Sequence, residues 1–392
     1  MKDKFNNFFR FIGEYALYGL LFFLAISNAL VEIFVVLAFL GFIGRKIIKP
    51  DFNYLKFWPN IFLLIFILFS ALSLFNSGAY FKISLHALFG KWMQYLGICI
   101  IIQDSINNQR IIKRGIVIFL CGATLAVLSG LSQHFFNFEF LRNRRIADLS
   151  AGLHAVTSSF NHYNSFGGYL VVVLSLVSAL LLVNNYSRLK IYGLSVLAIL
   201  SSTAIIFTFS RGSWLAMLVA FIFMVILSWN NSKRLIPIFL VVIILFLTPM
   251  FHERLFLTFK AGGDSDRFRY WIVAWKMISE HPFFGMGVGT FMANFLKFLP
   301  DSNISYAHNC YLQIWAETGI FALLSFGGFI VSFVYLGIKR FIVSKDFVLL
   351  GLLSGAVGFL VHSFFDTNLY SLRLAVLFWV WVGLIIGKMR EI

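Results

Sequence analysis

The sequence predicts an all-α, polytopic membrane protein with about twelve transmembrane helices. Of its 392 residues, 60% are apolar and only 12% are charged, whereas a soluble domain is about 45–50% apolar and about 25% charged. A membrane-spanning helix needs about 20 mainly apolar residues, so the roughly 235 apolar residues (0.60 × 392) suffice for about twelve. The same composition excludes a soluble globule, a disordered chain and a disulfide scaffold.

The predicted spans are the apolar runs between polar breaks. The first two are nearly continuous, and only Ser27, Asn28 and Glu32 separate them. The runs lie at 12–27, 29–44, 58–75, 86–103, 114–133, 165–184, 190–209, 211–228, 235–251, 311–338, 347–363 and 373–387.

Basic residues predict the orientation of these spans. The formal net charge is +16, from 32 Lys and Arg against 16 Asp and Glu. Short cytoplasmic loops are rich in Lys and Arg, and the short loops on the N-terminal side hold 19 of the 32. These are Lys2, Lys4, Arg10, Arg45, Lys46, Lys49, Lys56, Arg110, Lys113, Arg114, Arg188, Lys190, Lys233, Arg234, Lys339, Arg340, Lys345, Lys388 and Arg390.

This distribution predicts a single integral membrane domain, 1–392, with both termini in the cytoplasm and a large periplasmic loop at 252–310. A second outer segment lies at 134–164. Because membrane orientation and binding to membrane lipids account for the positive charge, no nucleic-acid partner is expected.

The larger outer loop contains a predicted helix that Pro282 stops. Trp271, Trp275 and Ile278 recur at i, i+4 and i+7, so they share one helix face. An amphipathic helix of this kind lies in the membrane–water interface. We therefore expect an interfacial helix in this loop, with the two tryptophans on its apolar face.

Polar residues that could carry chemistry converge on the outer face. Arg211 lies between the seventh and eighth spans, Arg267 opens the interfacial helix, His308 precedes the tenth span, and His362 and Asp366 follow the eleventh. Guanidinium groups bind phosphate oxygens in a bidentate manner, and a histidine can accept a proton near neutral pH. The pattern predicts an anion site with a nearby general base.

Structural roles compete with the anion site. Arg267 and Arg269 could pair with Asp264 and Asp266, and two residues of separation prevent the two arginines from sharing a helix face. Each arginine could instead form a solvated charge pair with one of these aspartates.

The outer histidines and Glu317 also have structural alternatives. His308 could simply cap the tenth span, and His362 could bond to Asp366 at i+4. Glu317, near the outer end of the tenth span, could serve catalysis or pair with a basic loop residue. The three cysteines have no spacing that suggests a metal site or a disulfide framework. The outer segments also offer no cluster of carboxylates for a metal ion, so no metal and no cofactor are expected.

At these positions the sequence resembles the O-antigen ligase and polymerase family. The resemblance rests on four segments in a fixed order: 160–169 with Asn164, 208–214 with Arg211, 267–287, and 307–319. The last contains His308, Asn309 and Glu317. The segments together cover about 155–325, and the rest of the chain matches only in hydropathy and span count.

The resemblance implies a metal-independent, inverting glycosyltransferase of the bacterial inner membrane. It would transfer a glycan from undecaprenyl pyrophosphate to a sugar hydroxyl at the periplasmic face, and a ligase would use the lipid A core as acceptor in lipopolysaccharide biosynthesis. The matching positions assign Arg211 and Arg267 to the pyrophosphate and His308 to the acceptor. Substrate contacts are also expected for Asn164, Asn309, Glu317, His362 and Asp366.

Two other functions remain open at this point. A polymerase would use a second lipid-linked glycan as acceptor and would share the same architecture. A transporter would place polar residues near the bilayer midplane, whereas here they cluster at one end of the spans. The sequence leaves the sugars, the stereochemical outcome, the oligomeric state and the role of Arg142, Arg144 and Arg145 open.

Overall fold

The structure is a computed structural model. It describes residues 2–52, 54, 57–105, 109–149, 154–229, 265–300 and 302–390. The predicted ninth span at 235–251 lies outside the described residues, and so does Asp264.

The described part of the chain is nearly all-α, as predicted. Its helices, numbered here in chain order, are α1 Lys2–Phe23, α2 Asn28–Ile48, α3 Trp58–Leu72, α4 Phe81–Ala87, α5 Met93–Ser105, α6 Gln109–Phe136, α7 Tyr163–Leu181, α8 Arg188–Phe207, α9 Arg211–Leu227, α10 Ser265–Glu280, α11 Phe291–Phe298, α12 Cys310–Ser344, α13 Phe347–His362 and α14 Leu372–Arg390. A short antiparallel ribbon of β1 Ala147–Asp148 and β2 His154–Ala155 is a departure from the all-α prediction.

Several helical segments are long and apolar enough to cross a membrane. In the described ranges there are seven: Trp58–Asn76, Gly78–Ser105, Gln109–Phe136, Tyr163–Leu181, Arg188–Phe207, Cys310–Ser344 and Leu372–Arg390. The shorter helices α9 and α13 are also apolar. These segments indicate a multi-pass membrane protein, and the count of twelve spans stays a prediction.

The centre of the bundle is formed by α7 and α14. In each of them 94% of the most apolar stretch is buried, against 33% in the segment that contains α3. Glycines on α13 allow it to approach α7 closely. A Cβ added to Gly351 would lie 3.0 Å from Leu176 Cα, and one added to Gly355 would lie 3.5 Å from Val172 Cα. Such small-residue contacts are typical of helix packing in membranes.

The segment between α6 and α7 is tied to the bundle by Arg373. Its guanidinium donates to Ser159 Oγ at 3.0 Å and to the Ser159 carbonyl oxygen at 2.8 Å, and it lies 4.0 Å from the centre of the Phe160 ring. These contacts explain why a basic residue is buried at the start of α14.

The arginine-rich part of this loop folds around Glu139. The Glu139 carboxylate accepts backbone N–H bonds from Leu141, Arg142 and Arg144 at 2.7–3.0 Å and a hydrogen bond from Ser129. Burial acts to raise the pKa of Glu139, but these hydrogen bonds outweigh it and lower the pKa below its usual value. The acid therefore holds the loop as a carboxylate.

The predicted helix of the larger outer loop is present as α10, and it ends two residues before Pro282. Packing inside the protein buries Val273, Ala274 and Met277 together with Ile278, so only Ile278 of the predicted apolar face is on the buried side, and the interfacial position of the helix stays a prediction. The tryptophans lie to one side of this buried face, and Trp275 is 56% exposed. The helix therefore has a second apolar stripe, which contains the exposed residues Phe268, Ile272 and Trp275.

Candidate active site

His308 and Asp366 form an acid–base pair although 58 residues separate them in sequence. His308 Nδ1 lies 3.1 Å from Asp366 Oδ1. A carboxylate can only accept, so His308 donates Nδ1–H and keeps Nε2 as a proton acceptor. Nε2 lies 3.3 Å from Ser305 Oγ, and 29% of the His308 side chain is exposed. A buried carboxylate thus orients an imidazole that a substrate can reach.

The start of α12 fixes the position of His308. His308 has a φ of +48°, and the next residue, Asn309, is the N-cap of the helix. Asn309 Oδ1 accepts the N–H groups of Tyr311 and Leu312, both at 3.0 Å. The alternative that His308 caps this helix is therefore wrong, because Asn309 is the cap. The N–H of Cys310 donates to the Ser363 carbonyl oxygen at 2.9 Å, which joins this segment to the one that carries Asp366.

Asp366 is held in its charged form. Burial acts to raise the pKa of Asp366, but the hydrogen bond from His308 and the charges of His308, His362 and His162 outweigh it. The pKa therefore lies well below its usual value. The second hydrogen bond to Asp366 Oδ1 comes from the Thr367 N–H at 2.8 Å. An ionised acid beside His308 stabilises the imidazolium that forms when His308 takes up a proton.

His162 belongs to the same cluster and was not predicted. It precedes α7, and its Nδ1 accepts the N–H of Asn164 at 3.2 Å. Burial lowers the pKa of His162 most, Asp366 raises it, and His308 and Arg267 lower it further. Asp366, His308 and Arg267 therefore lie within electrostatic range of His162. The signal in the sequence was His162 beside Asn164 in the segment that carries the family resemblance.

Asn164 lies in the first turn of α7, where it is 4% exposed. The predicted contact of its side chain with substrate stays a prediction.

Arg267 faces this cluster from α10. The ring of Tyr270, three residues later, stacks on His308 with 5.9 Å between the ring centres and 28° between the planes. Residues three apart share a helix face, so Arg267 lies on the side of α10 that contacts His308. Arg267 is half-buried, whereas Arg269 is exposed. The predicted pairing of these arginines with Asp264 and Asp266 falls outside the described side chains.

Arg211 is the first residue of α9. The helix is capped by Ser210, whose Oγ accepts the Ser213 N–H at 3.4 Å. The following residue, Gly212, packs on the chain just before Asp366, since a Cβ added there would lie 3.0 Å from Phe365 Cβ. The half-buried Arg211 thus begins a helix that is packed against the segment that carries Asp366.

His362 does not form the predicted side-chain bond with Asp366. Its Nε2 lies 3.0 Å from Ser213 Oγ on α9, and its Nδ1 accepts from Asn368 Nδ2 at 2.8 Å. The i, i+4 contact with Asp366 is a backbone bond of 3.1 Å, from the Asp366 N–H to the His362 carbonyl oxygen. His362 is 1% exposed, so it locks α9 to the segment before α14.

Glu317 is also an internal bridge, and it pairs with no basic residue among the contacts of the described chain. Its Oε2 accepts from the Gly289 N–H at 2.8 Å and from Tyr370 Oη at 3.1 Å. Its Oε1 accepts from Gln313 Nε2 at 3.1 Å and from the Phe291 N–H at 3.2 Å. With four donors and 1% exposure, Glu317 ties α12 to the start of α11 and to the segment before α14.

A turn of three glycines lies against Glu317. Gly285, Gly287 and Gly289 have φ values of +67°, +110° and +74°, a region that favours glycine. The N–H of Gly287 also donates to the Glu317 carbonyl oxygen at 2.9 Å. Two residues further along α12, Gly319 has a φ of +82° and kinks the helix. The kink accommodates Phe283, whose carbonyl oxygen would lie 2.0 Å from an added Cβ.

Together these residues form a candidate site in which an oriented imidazole lies near two half-buried arginines. His308 offers a proton acceptor beside the Asp366 carboxylate, and Arg267 and Arg211 lie near the starts of two helices. Arginine suits phosphate oxygens better than lysine because its planar fork donates in pairs. The arrangement can activate a hydroxyl group and stabilise an anionic leaving group.

Comparison with known families agrees with the predicted resemblance. A family model described as O-antigen ligase matches residues 196–327. The resemblance to the O-antigen ligase family is confirmed. No curated protein matches the chain.

The O-antigen ligase match covers only part of the site. It includes Arg211, Arg267, His308 and Glu317, whereas Asn164, His162 and Asp366 lie outside it. The partner of His308 was therefore found from the geometry of the fold and not from the family match.

Proposed function

We propose that the protein is an O-antigen ligase-like glycosyltransferase. It moves a glycan from undecaprenyl pyrophosphate to a sugar hydroxyl of the lipid A core, at the periplasmic face of the bacterial inner membrane. The observation that carries the proposal is the 3.1 Å contact between His308 and Asp366 in an arginine-containing site of a membrane protein. The family match over 196–327 supports it.

The reaction is a single displacement. The acceptor oxygen attacks the anomeric carbon of the donor sugar, and the bond between that carbon and the phosphate oxygen breaks. His308 Nε2 takes the proton of the acceptor hydroxyl, and the pyrophosphate leaves on its lipid carrier. Attack opposite the leaving group inverts the anomeric configuration.

The arginines and the base act on different parts of this reaction. Negative charge grows on the departing pyrophosphate, so fixed guanidinium groups stabilise the transition state more than the ground state. Arg267 and Arg211 hold this role. The imidazolium of His308 forms at the same moment, and Asp366 stabilises it. A positioned general base contributes about 10²–10⁴-fold to such a reaction.

The decisive test compares acceptors. The purified full-length protein is given a lipid-linked glycan together with either lipid A core or a second lipid-linked glycan, and the extended product is identified by mass spectrometry. Extension of lipid A core is expected. Extension of only the second glycan would make the protein a polymerase, and no transfer to either acceptor would refute a transferase function.

The orientation is tested separately. We propose that both termini are cytoplasmic and that the loop at 252–310 is periplasmic. A Ser302→Cys variant in a background without the three native cysteines should react with a membrane-impermeant maleimide in intact spheroplasts. Labelling only after lysis would show that this loop is cytoplasmic and would refute the proposed orientation.

A further inference from the structure

A basic cavity lies near the C-terminal end of α14, whereas His308 lies near the N-terminal end of that helix. It encloses about 440 Å³ and is formed where α1 begins and α2, α5 and α14 end. We call it the N-terminal cavity. Its lining residues are Asn6, Arg10, Arg45, Lys46, Lys49, Asp51, Tyr54, Gln103, Asp104, Gly387 and Arg390. The 19 residues of α14, at about 1.5 Å per residue, separate this cavity from the candidate active site by roughly 28 Å.

The lining of the N-terminal cavity carries an excess of positive charge. Five cations and two carboxylates line it, which gives a formal charge of 5 − 2 = +3. Asp104 is already engaged, since its two oxygens accept from Arg45 at 2.5 Å and from Lys46 at 2.8 Å. The positive excess therefore persists after the internal ion pairs are formed, and an anion is the complementary ligand.

The wall of the cavity is rigid and polar. Gln103, which is 2% exposed, exchanges two hydrogen bonds with Asn60, at 2.8 Å and 3.1 Å. Asn60 also donates to the Tyr54 carbonyl oxygen at 2.8 Å. The Tyr54 ring in turn lies 4.8 Å from Lys46 Nζ and 5.9 Å from the Arg390 guanidinium carbon. These contacts hold Lys46 and Arg390 beside the Tyr54 ring.

Exposed apolar side chains stand next to the lining residues in the sequence. Phe11 follows Arg10, Ile47 follows Lys46, and Phe52 follows Asp51. They are 56%, 77% and 49% exposed, respectively. A ligand with a charged end and an apolar end would therefore satisfy both the cavity and its surroundings.

We propose that the N-terminal cavity binds the phosphate group of an anionic phospholipid head group. Basic pockets between transmembrane helices bind such head groups on the cytoplasmic side of membranes. Arg10, Lys49 and Arg390 contact the phosphate, while Arg45 and Lys46 are held by Asp104 behind them. The acyl chains follow the exposed apolar side chains of α1 and α2. This site is separate from that of the glycan donor and does not depend on the proposed reaction.

The test measures lipid binding to the delipidated full-length protein in a neutral detergent. Phosphatidylglycerol, phosphatidylcholine and the water-soluble glycerol 3-phosphate are titrated, and binding is followed by native mass spectrometry and by the shift in melting temperature. We expect phosphatidylglycerol to bind at least tenfold more tightly than the other two. Equal binding of glycerol 3-phosphate would mean a free phosphoester site and would overturn the lipid proposal.

Variants locate the binding. Arg10→Gln and Arg390→Gln should each weaken phosphatidylglycerol binding by about fivefold, as expected for one cation near a membrane surface. Arg188→Gln is the matched control, because Arg188 is exposed at the start of α8 and does not line the cavity. If all three variants bind phosphatidylglycerol as the wild type does, or if Arg188→Gln weakens it equally, the site is not this cavity. Both measurements are independent of transferase activity.

Discussion

Replacement of Asp366 by Asn tests the acid–base pair directly. Asn has nearly the same size and can still accept the Thr367 N–H, which is 2.8 Å from Oδ1, so the fold should survive. The change removes the negative charge 3.1 Å from His308 Nδ1. Opposite unit charges at about 4 Å attract by about 4 kcal/mol at an effective dielectric constant of about 20.

This attraction sets the size of the expected effect. The His308 side chain is 29% exposed, and water screens part of the charge, so about 2–4 kcal/mol of transition-state stabilisation should be lost. Since about 1.4 kcal/mol corresponds to a tenfold change in rate, Asp366→Asn should slow transfer by about 30-fold to about 10³-fold. The melting temperature should change little.

The assay is single-turnover transfer by the purified protein, with donor binding measured separately. The chain provides a matched control in the Asp148–His154 pair, where Asp148 Oδ1 lies 2.8 Å from His154 Nδ1 but the side chains are 81% and 58% exposed. Asp148→Asn should alter the rate by less than about twofold.

Two results would refute the reasoning. One is an Asp366→Asn protein that folds normally and transfers within about twofold of the wild-type rate. The other comes from the double variant. If Asp366 acts through His308, adding Asp366→Asn to His308→Gln should cost little more, because the two residues work as a unit. Losses that multiply would show that they act independently.

Three further variants test other parts of the site. Arg267→Lys should lose most of the transfer activity because lysine lacks the planar fork. Arg269→Lys is the control, since Arg269 is exposed, and it should retain the activity. Equal transfer by the two variants would exclude bidentate binding by Arg267. Gly319→Ala should lower the melting temperature strongly, since the added Cβ would lie 2.0 Å from a carbonyl oxygen. The control Gly193→Ala should be tolerated, because a Cβ added there has no atom within 4 Å. Equal melting temperatures for the two variants would refute the packed kink. Burial lowers the pKa of His162 below its ordinary 6.5, so the unfolded chain binds the proton more readily and stability should fall below about pH 6.5. His162→Gln should flatten this fall, and an unchanged pH profile of melting would contradict it.

Much of the helical architecture could be predicted because apolar runs and polar breaks report directly on membrane spans. The helix α10 was also predictable, since the period of Trp271, Trp275 and Ile278 and the stop at Pro282 are local signals. Its buried face was not, because both sides of the helix are apolar and only tertiary contacts decide that Val273 and Met277 pack inward. The span predicted at 12–27 leaves out the charged residues from Lys2 onward, which are helical in α1.

The roles of the polar residues were harder to predict than the set of residues itself. Spacing suggested His362 as the partner of Asp366, because i and i+4 are neighbours on a helix. In the structure α13 ends at His362, so this spacing no longer places the two side chains together. Asp366 turns towards His308, while His362 bonds to Ser213, 149 residues away. Long-range pairings of this kind leave no periodic trace in the sequence.

The structural roles of Glu317 and His362 explain how a site built from distant segments can be precise. Glu317 fixes α12 against α11 and against Tyr370, and His362 fixes α9 against Asn368. The backbone hydrogen bond from Cys310 to Ser363 joins the start of α12 to the end of α13. Cys310, Ser363 and His362 lie within four residues of His308 or Asp366 in sequence, and Glu317 lies on the helix that follows His308. A displacement of about 1 Å in a reacting group can cost about 10²-fold in rate, so substitutions of Glu317 and His362 should impair transfer through position and not through chemistry. Such variants should therefore lose stability together with activity, whereas Asp366→Asn should lose activity alone.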